Sequence, residues 1–122
     1  MIHRRNFTIA LVAAALLPVS ACGRRARRAA RSAEPPLYPN ETPELRALIN
    51  QYADLYEVPR PLVHRVVIRE STHSPEAINR PYYGLMQILP ETARTMGFLG
   101  EPSDLLDAET NLKYSVKYLR GA

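Results

Sequence analysis

The chain has 122 residues, enough for one small domain, and it carries 16 basic and 12 acidic residues. Seven of the basic residues precede Glu34, so the rest of the chain holds nine basic and twelve acidic residues, a net charge of −3. A mildly acidic domain argues against nucleic-acid binding, which needs basic residues over the binding face, and a single cysteine excludes an intramolecular disulfide.

Residues 1–21 have the parts of an export signal. The basic stretch MIHRRN comes first, the apolar stretch FTIALVAAALLPV follows, and two small residues precede Cys22. The apolar stretch is short for a membrane span and Pro18 interrupts it, so we favour a cleaved signal over an uncleaved anchor. The pair Arg4 and Arg5 weakly resembles a twin-arginine signal, which leaves the export route open.

The stretch VSAC, which ends at Cys22, resembles the lipobox of bacterial lipoproteins. The resemblance implies that Cys22 becomes the lipidated first residue of the mature chain, at the periplasmic face of the outer membrane. Residues 22–41 are rich in arginine and then in proline and cannot bury a core, so we expect a disordered tether. Its arginines could also contact the anionic headgroups of a membrane that holds the lipid anchor.

Residues 42–122 predict four helices and no strand pattern of useful length, so the expected fold class is mainly α. The helices are expected to run from Pro43 to about Val58, from Pro61, from Pro90 to Met96, and from Asp107 almost to the end of the chain. Thr42 and Asp107 are the expected N-caps. The proline after Val58 and the glycine at position 97 are the expected stop signals.

Glu70 continues the apolar face of the second predicted helix. It lies three, four and seven residues after Val67, Val66 and Val63, so its carboxyl is expected to face the core or a cleft. Burial and the dipole at the helix C-terminus both disfavour the charged form. They predict a carboxyl that is neutral near pH 7, as a general acid requires. Position alone leaves open a solvated glutamate at a fraying helix end.

The stretch that begins at Glu70 resembles the catalytic region of soluble-type lytic transglycosylases, in the lysozyme-like superfamily. The matching elements are Glu70 with Ser71, Pro75 with Ala77, the run Gly84-Leu85-Met86-Gln87, Pro90 with Thr92 and Ala93, and more loosely Leu105 to Leu119. The resemblance covers roughly Leu45 to the C-terminus. It implies a partial lysozyme-like helical domain over residues 42–122, after the signal segment and the tether.

This resemblance implies that Glu70 is the single general acid and base of the enzyme. In the family, the corresponding glutamate protonates the leaving oxygen of the MurNAc–GlcNAc β-1,4 bond. It then takes a proton from the C6 hydroxyl of the sugar, which closes a 1,6-anhydromuramoyl end. The implied partners are peptidoglycan glycan strands, without a cofactor and without nucleic acid.

The run GLMQ resembles the loop that lines the sugar cleft opposite the catalytic glutamate. The expected substrate-binding residues are Ser71, Tyr83, Gly84, Leu85, Met86 and Gln87. Gly84 would let the backbone approach the ligand, Leu85 and Met86 would form apolar walls, and Gln87 would bind the N-acetyl group. Tyr82 is a further candidate for stacking on sugars. Core packing is the alternative for most of the apolar residues in this stretch.

The sequence also departs from the family pattern. Family domains continue beyond the stretch that here ends in KYLRGA and carry a motif such as AYNAG, which this sequence lacks, and Ser115 replaces a common glycine. We therefore expect either a fragment or a truncated member of the family. Its core would be incomplete, because the stripe of apolar residues on the last helix would lack cover and favour association or partial unfolding. This stripe consists of Ala108, Leu112, Val116 and Leu119. An inactive cell-wall-binding lipoprotein and a hydrolysing lysozyme remain as alternatives, and the oligomeric state is open.

His64 and His73 are not expected to form a metal site. Their spacing with acidic residues is not typical of metal ligands, so we expect structural or solvated histidines and no metal.

Overall fold

The computed structural model describes residues 23–25 and 34–122. Residues 23–25 are helical, and Pro36–Ala122 form one compact unit. The helices of this unit are α1 (Pro43–Leu55), α2 (Arg60–Ser71), α3 (Pro90–Thr95) and α4 (Ala108–Arg120), with a 3-10 helix at Pro102–Leu106. The expected mainly α fold class is confirmed.

The predicted signal segment 1–21 and Cys22 lie outside the described residues. Within residues 23–25 and 34–122, no helix combines the length and the apolar character that crossing a membrane requires.

Local capping chemistry sets the starts of α1 and α4. The side chain of Thr42 accepts a hydrogen bond from the Leu45 N–H, and the carboxyl of Asp107 accepts one from the Thr110 N–H. Both side chains satisfy backbone donors that the first turn of a helix leaves unpaired. Both predicted N-caps are therefore confirmed.

The first helix ends at Leu55, earlier than the predicted end near Val58. Glu57 adopts a left-handed backbone with φ of +55°, and the Val58 N–H donates to the Ala53 carbonyl. This turn brings Val58 into the core. The proline that follows Val58 therefore marks the end of the connecting turn and not the end of the helix.

A short hairpin, which was not predicted from the sequence, connects α2 to the GLMQ stretch. Strands β1 (Ile78–Asn79) and β2 (Tyr82–Tyr83) pair antiparallel, with Ile78 opposite Tyr83 and Asn79 opposite Tyr82. The Tyr83 backbone also exchanges hydrogen bonds with Ile88. Two-residue strands are too short for an alternating pattern in the sequence to reveal them.

The core of the compact unit Pro36–Ala122 consists of two apolar clusters. The larger one joins α1, α2, α4 and the GLMQ stretch, and its buried members are Leu45, Ile49, Tyr52, Ala53, Val58, Val63, Val67, Leu85, Met86, Leu112 and Val116. The smaller one consists of Ile88, Ala93, Phe98 and Leu105. Leu112 and Val116 are fully buried, and Leu119 packs on the larger cluster. The expectation that this stripe lacks cover is therefore wrong, because α1 and α2 pack on the same core as α4.

The compact unit begins before residue 42, the predicted start of the domain. Residues from Pro36 onward belong to the compact unit, and the Glu41 side chain is buried. Glu41 accepts hydrogen bonds from the Tyr38 N–H and from Arg46, and Asn40 donates to the Thr72 carbonyl. These polar contacts fix a segment whose proline-rich composition indicated a tether.

Candidate active site

Glu70 lies one residue before the end of α2, at the mouth of a pocket of about 430 Å³. Val63 and Val67 on the same helix are buried and Val66 is half-buried, whereas Glu70 is exposed. Of the two expected surroundings, core or cleft, Glu70 therefore has the cleft, and its side chain is exposed there. The apolar face of α2 turns from the core towards a cleft at its last turn, and Glu70 lies on the cleft side.

The hairpin and the GLMQ stretch form the other side of this pocket, which we call the Glu70 pocket. Its lining residues are Val66, Glu70, Asn79, Tyr82, Met86 and Gln87. Its volume is within the range of about 300–1,000 Å³ that is common for small-molecule sites. Among the described residues that line it, Glu70 is the only acidic one.

A second pocket of about 300 Å³ lies next to the first, and most of its lining residues are apolar or aromatic. The two pockets share Val66, Tyr82, Met86 and Gln87, and the second continues over α3 and α4 to Leu89, Thr92, Ser115, Tyr118 and Leu119. Together they form one groove that has a carboxyl at one end and apolar and aromatic side chains along its length.

Gly84 and Leu85 do not line the Glu70 pocket. Gly84 is buried with φ of +76°, and a Cβ there would overlap the Asn111 side chain and the Leu105 carbonyl. Gly84 therefore lets the loop backbone pack closely against α4, and not against a ligand as expected. Leu85 is fully buried in the larger core cluster, which confirms the core-packing alternative. Met86 packs in the same cluster and also reaches both pockets.

Gln87 lines both pockets, but its amide is bonded within the loop. Its Nε2 donates to the Ala77 and Gly84 carbonyls, at 3.0 and 2.9 Å, and its Oε1 accepts from Asn79 Nδ2 at 2.9 Å. Gln87 therefore holds the loop in shape. The exposed Asn79 amide, which sequence reasoning missed, is the polar group next to it in the Glu70 pocket.

The two tyrosines of the hairpin have different surroundings. Tyr82 is exposed and lines both pockets, whereas Tyr83 packs against the smaller core cluster. Strand alternation explains the difference, because neighbouring residues of a strand point to opposite faces. Ser71, an expected substrate-binding residue, donates to the Val67 carbonyl of its own helix at 3.2 Å and does not line the Glu70 pocket.

Asn111 on α4 is a residue that sequence reasoning missed. It is fully buried, and its Nδ2 donates to the Tyr83 and Leu105 carbonyls, each at 2.9 Å. Its Oδ1 accepts from the Met86 N–H at 3.0 Å and from Ser115 Oγ at 3.3 Å. One amide thus connects α4 to the loop that forms a wall of the Glu70 pocket. A polar residue within the apolar stripe of α4 was the signal for it in the sequence.

A second polar cluster could hold a metal ion. Glu41, His64 and His73 each offer one ligand atom, and these atoms lie within 4.8 Å of one another. From the sequence, His64 and His73 were not expected to form a metal site.

The electrostatics of this cluster are set by burial and by Arg46. Burial opposes ionisation of Glu41, but hydrogen bonds from Arg46 and from the Tyr38 N–H outweigh it and hold the pKa of Glu41 below its usual value. Burial lowers the pKa of His64 and of His73, although the nearby Glu41 carboxylate acts in the opposite direction.

Comparison with protein families identifies the domain that carries the groove. Residues 47–122 match the family described as the transglycosylase SLT domain, which is more than half of the chain. The chain belongs to this family. The comparison with curated proteins gave no match, and the comparison with solved structures gave none.

Membership in the SLT family gives the general function. It is peptidoglycan degradation of the lytic transglycosylase type, acting on glycan strands. The match includes Glu70, both pockets and Asn111, so the groove lies within the part of the chain that defines the family.

Proposed function

We propose that the chain is a peptidoglycan lytic transglycosylase in which Glu70 is the single general acid and base. The observation that carries the proposal is a pocket of about 430 Å³ in which Glu70 is the only acidic residue among the described lining residues. Hydrolysing glycosidases usually place two carboxylates across the scissile bond. A pocket with one carboxyl fits a reaction that uses a hydroxyl of the sugar itself in place of water.

The first step is cleavage of the bond between MurNAc C1 and the oxygen at C4 of GlcNAc. The protonated Glu70 carboxyl donates its proton to this oxygen, and the GlcNAc side leaves as an alcohol. The substrate's own N-acetyl group stabilises the positive charge at C1. A sugar chain in the groove would exclude water from Glu70.

The second step closes the anhydro ring. The Glu70 carboxylate removes the proton of the C6 hydroxyl, the C6 oxygen forms a bond with C1, and the carboxyl is regenerated. No water is consumed. Acid and base catalysis by a positioned side chain typically contributes about 10²–10⁴ in rate.

The remaining groove residues would bind the glycan strand. Tyr82 is exposed at the junction of the two pockets, where its ring can stack on a sugar face. Met86 supplies an apolar wall, and the exposed amide of Asn79 is a hydrogen-bonding group for an N-acetyl substituent. The apolar part of the groove leads along α4 to Leu119 and offers room for neighbouring sugars.

We also propose that the protein is a lipoprotein held at the periplasmic face of the outer membrane. The support is the stretch VSAC after an apolar run, with the chain's only cysteine at its end. Mass spectrometry of the protein purified from its native membrane tests this proposal. We expect an N-terminal Cys22 that carries acyl chains, and an uncleaved N-terminus would contradict the assignment.

Product analysis tests the proposed reaction. Purified sacculi are digested with the protein, and the released muropeptides are analysed by mass spectrometry. We expect products that end in 1,6-anhydromuramoyl groups, which are lighter by one water than hydrolysis products. Reducing ends would indicate a lysozyme, and sacculus binding without any products would indicate an inactive wall-binding protein. Either result would contradict the proposal.

A further inference from the structure

Three side chains of metal-binding type converge from separate parts of the domain. Glu41 precedes the N-cap of α1, His64 lies within α2, and His73 follows the end of α2. His64 Nδ1 is 3.8 Å and His73 Nε2 is 3.6 Å from the same Glu41 Oε1. Two imidazole nitrogens and a carboxylate oxygen form a known type of zinc ligand set.

His73 gives the observation that points to a ligand. The residue is only 1% exposed, and neither ring nitrogen has a hydrogen-bond partner within residues 23–25 and 34–122. Buried polar atoms are nearly always hydrogen-bonded, so two unpaired ring nitrogens cost folding free energy unless a ligand binds the imidazole. The 3.6 Å between His73 Nε2 and Glu41 Oε1 is too long for a good hydrogen bond.

The same distances suit atoms that share one metal ion. Zinc lies about 2.0–2.2 Å from nitrogen and oxygen ligands, so two ligands of one ion are at most about 4.4 Å apart. Both distances to Glu41 Oε1 are below this limit. All three ligand atoms lie within 4.8 Å of one another, and a shared ion would draw the most distant pair closer together.

His64 is already oriented as a ligand. Its Nε2 lies 2.8 Å from Asn50 Oδ1. An amide oxygen only accepts hydrogen bonds, so Nε2 carries the hydrogen and Nδ1 keeps its lone pair, on the side of Glu41. Metal-binding histidines commonly donate their second ring N–H to an oxygen in this way. The His64 side chain is about one-fifth exposed, which gives an ion access to the site.

From this geometry we propose that Glu41, His64 and His73 bind a zinc ion, with water in the fourth position. The site would link the segment before α1, the α2 helix and the turn that follows Glu70. Arg46 donates to both oxygens of Glu41 and keeps the carboxylate ionised and in place. Because the positive charge of Arg46 lies close to the site, we expect weaker affinity for zinc than at a site whose carboxylate has no such partner. The role is structural, and zinc takes no part in the proposed acid–base steps.

Zinc titration of the purified full chain tests the proposal. The protein is treated with a chelator, dialysed, and titrated with zinc chloride by calorimetry and by thermal unfolding. We expect one zinc ion per chain. The melting temperature should rise by roughly 10–20 °C when free zinc is about a hundred times the dissociation constant. Magnesium and calcium should give no shift, because they prefer all-oxygen ligand sets.

Histidine variants locate the site. His64→Ala and His73→Ala should each lose the zinc-dependent shift, whereas Glu76→Gln should keep it, because Glu76 is exposed and lies outside the cluster. If His73→Ala does not fold, the partly exposed His64→Ala decides. Glu70→Gln should bind zinc as the wild type does. Wild type without zinc binding, or His64→Ala that binds unchanged, would overturn the proposal.

Discussion

The buried amide of Asn111 connects α4 to the loop that forms a wall of the Glu70 pocket, and Asn111→Ala tests this connection. The substitution removes the partner of the buried Met86 N–H and one donor to each of the Tyr83 and Leu105 carbonyls. The Tyr83 carbonyl keeps its bond from the Ile88 N–H. Apart from the longer 3.3 Å bond from Ser115 Oγ, which is tested separately, the loss consists of one buried donor without a partner and two lost hydrogen bonds.

The magnitude follows from these three contacts. An unsatisfied buried donor costs about 1–3 kcal/mol, and each lost hydrogen bond costs about 0.5–1.5 kcal/mol, so the total is roughly 2–6 kcal/mol. Small domains are stable by only about 5–15 kcal/mol. At about 4–8 °C per kcal/mol for a domain of this size, the melting temperature should fall by at least about 8 °C.

Urea unfolding gives the comparison with a matched control. The chain has no tryptophan, so far-ultraviolet circular dichroism is the suitable signal. Ser115→Ala removes only the 3.3 Å hydrogen bond to Asn111 and leaves the other three bonds of the amide in place. We expect Ser115→Ala to cost clearly less than Asn111→Ala. Equal losses for the two variants would refute the role assigned to the Asn111 amide.

Two further predictions use matched pairs of variants. Gly84→Ala should destabilise more than Gly97→Ala, because both glycines have positive φ but only Gly84 would bring a Cβ into other atoms; equal losses in urea unfolding would contradict this. Burial and then the hydrogen bond to Glu109 raise the pKa of Tyr52 to about 12. The pKa of a tyrosine in the unfolded chain is about 10. The neutral Tyr52 therefore adds to the free energy of unfolding below about pH 10, and this contribution is lost as the pH rises to about 12. In unfolding measured against pH, Tyr52→Phe should not lose stability over this range, whereas the exposed Tyr118→Phe should lose it as the wild type does. Identical pH profiles for the two variants would contradict the reasoning.

Local signals in the sequence predicted the helices well. Thr42 and Asp107 are caps whose hydrogen bonds close within three residues, so neighbouring positions are enough to identify them. The end of α1 was less accurate because the left-handed backbone at Glu57, a non-glycine residue, has no clear sequence signal.

Contacts between distant segments account for what the sequence did not reveal. Periodicity placed Glu70 on the apolar side of α2, but only the packing of the hairpin shows that this side opens into a cleft at the last turn. Gly84 was correctly singled out, yet its partner is Asn111 and not a ligand. The cluster of Glu41, His64 and His73 joins residues with no regular spacing, so no motif indicates it.

Glu70→Gln directly tests the central proposal, that Glu70 is the only acid and base of the reaction. The side chain is exposed, so we expect the fold to survive the substitution. Glu76→Gln is the control, because Glu76 is also exposed and lies outside the Glu70 pocket. Anhydro-muropeptide release from sacculi should fall by about 10²–10⁴-fold in Glu70→Gln and stay at the wild-type rate in Glu76→Gln. Near-wild-type release by a folded Glu70→Gln protein would contradict the mechanism.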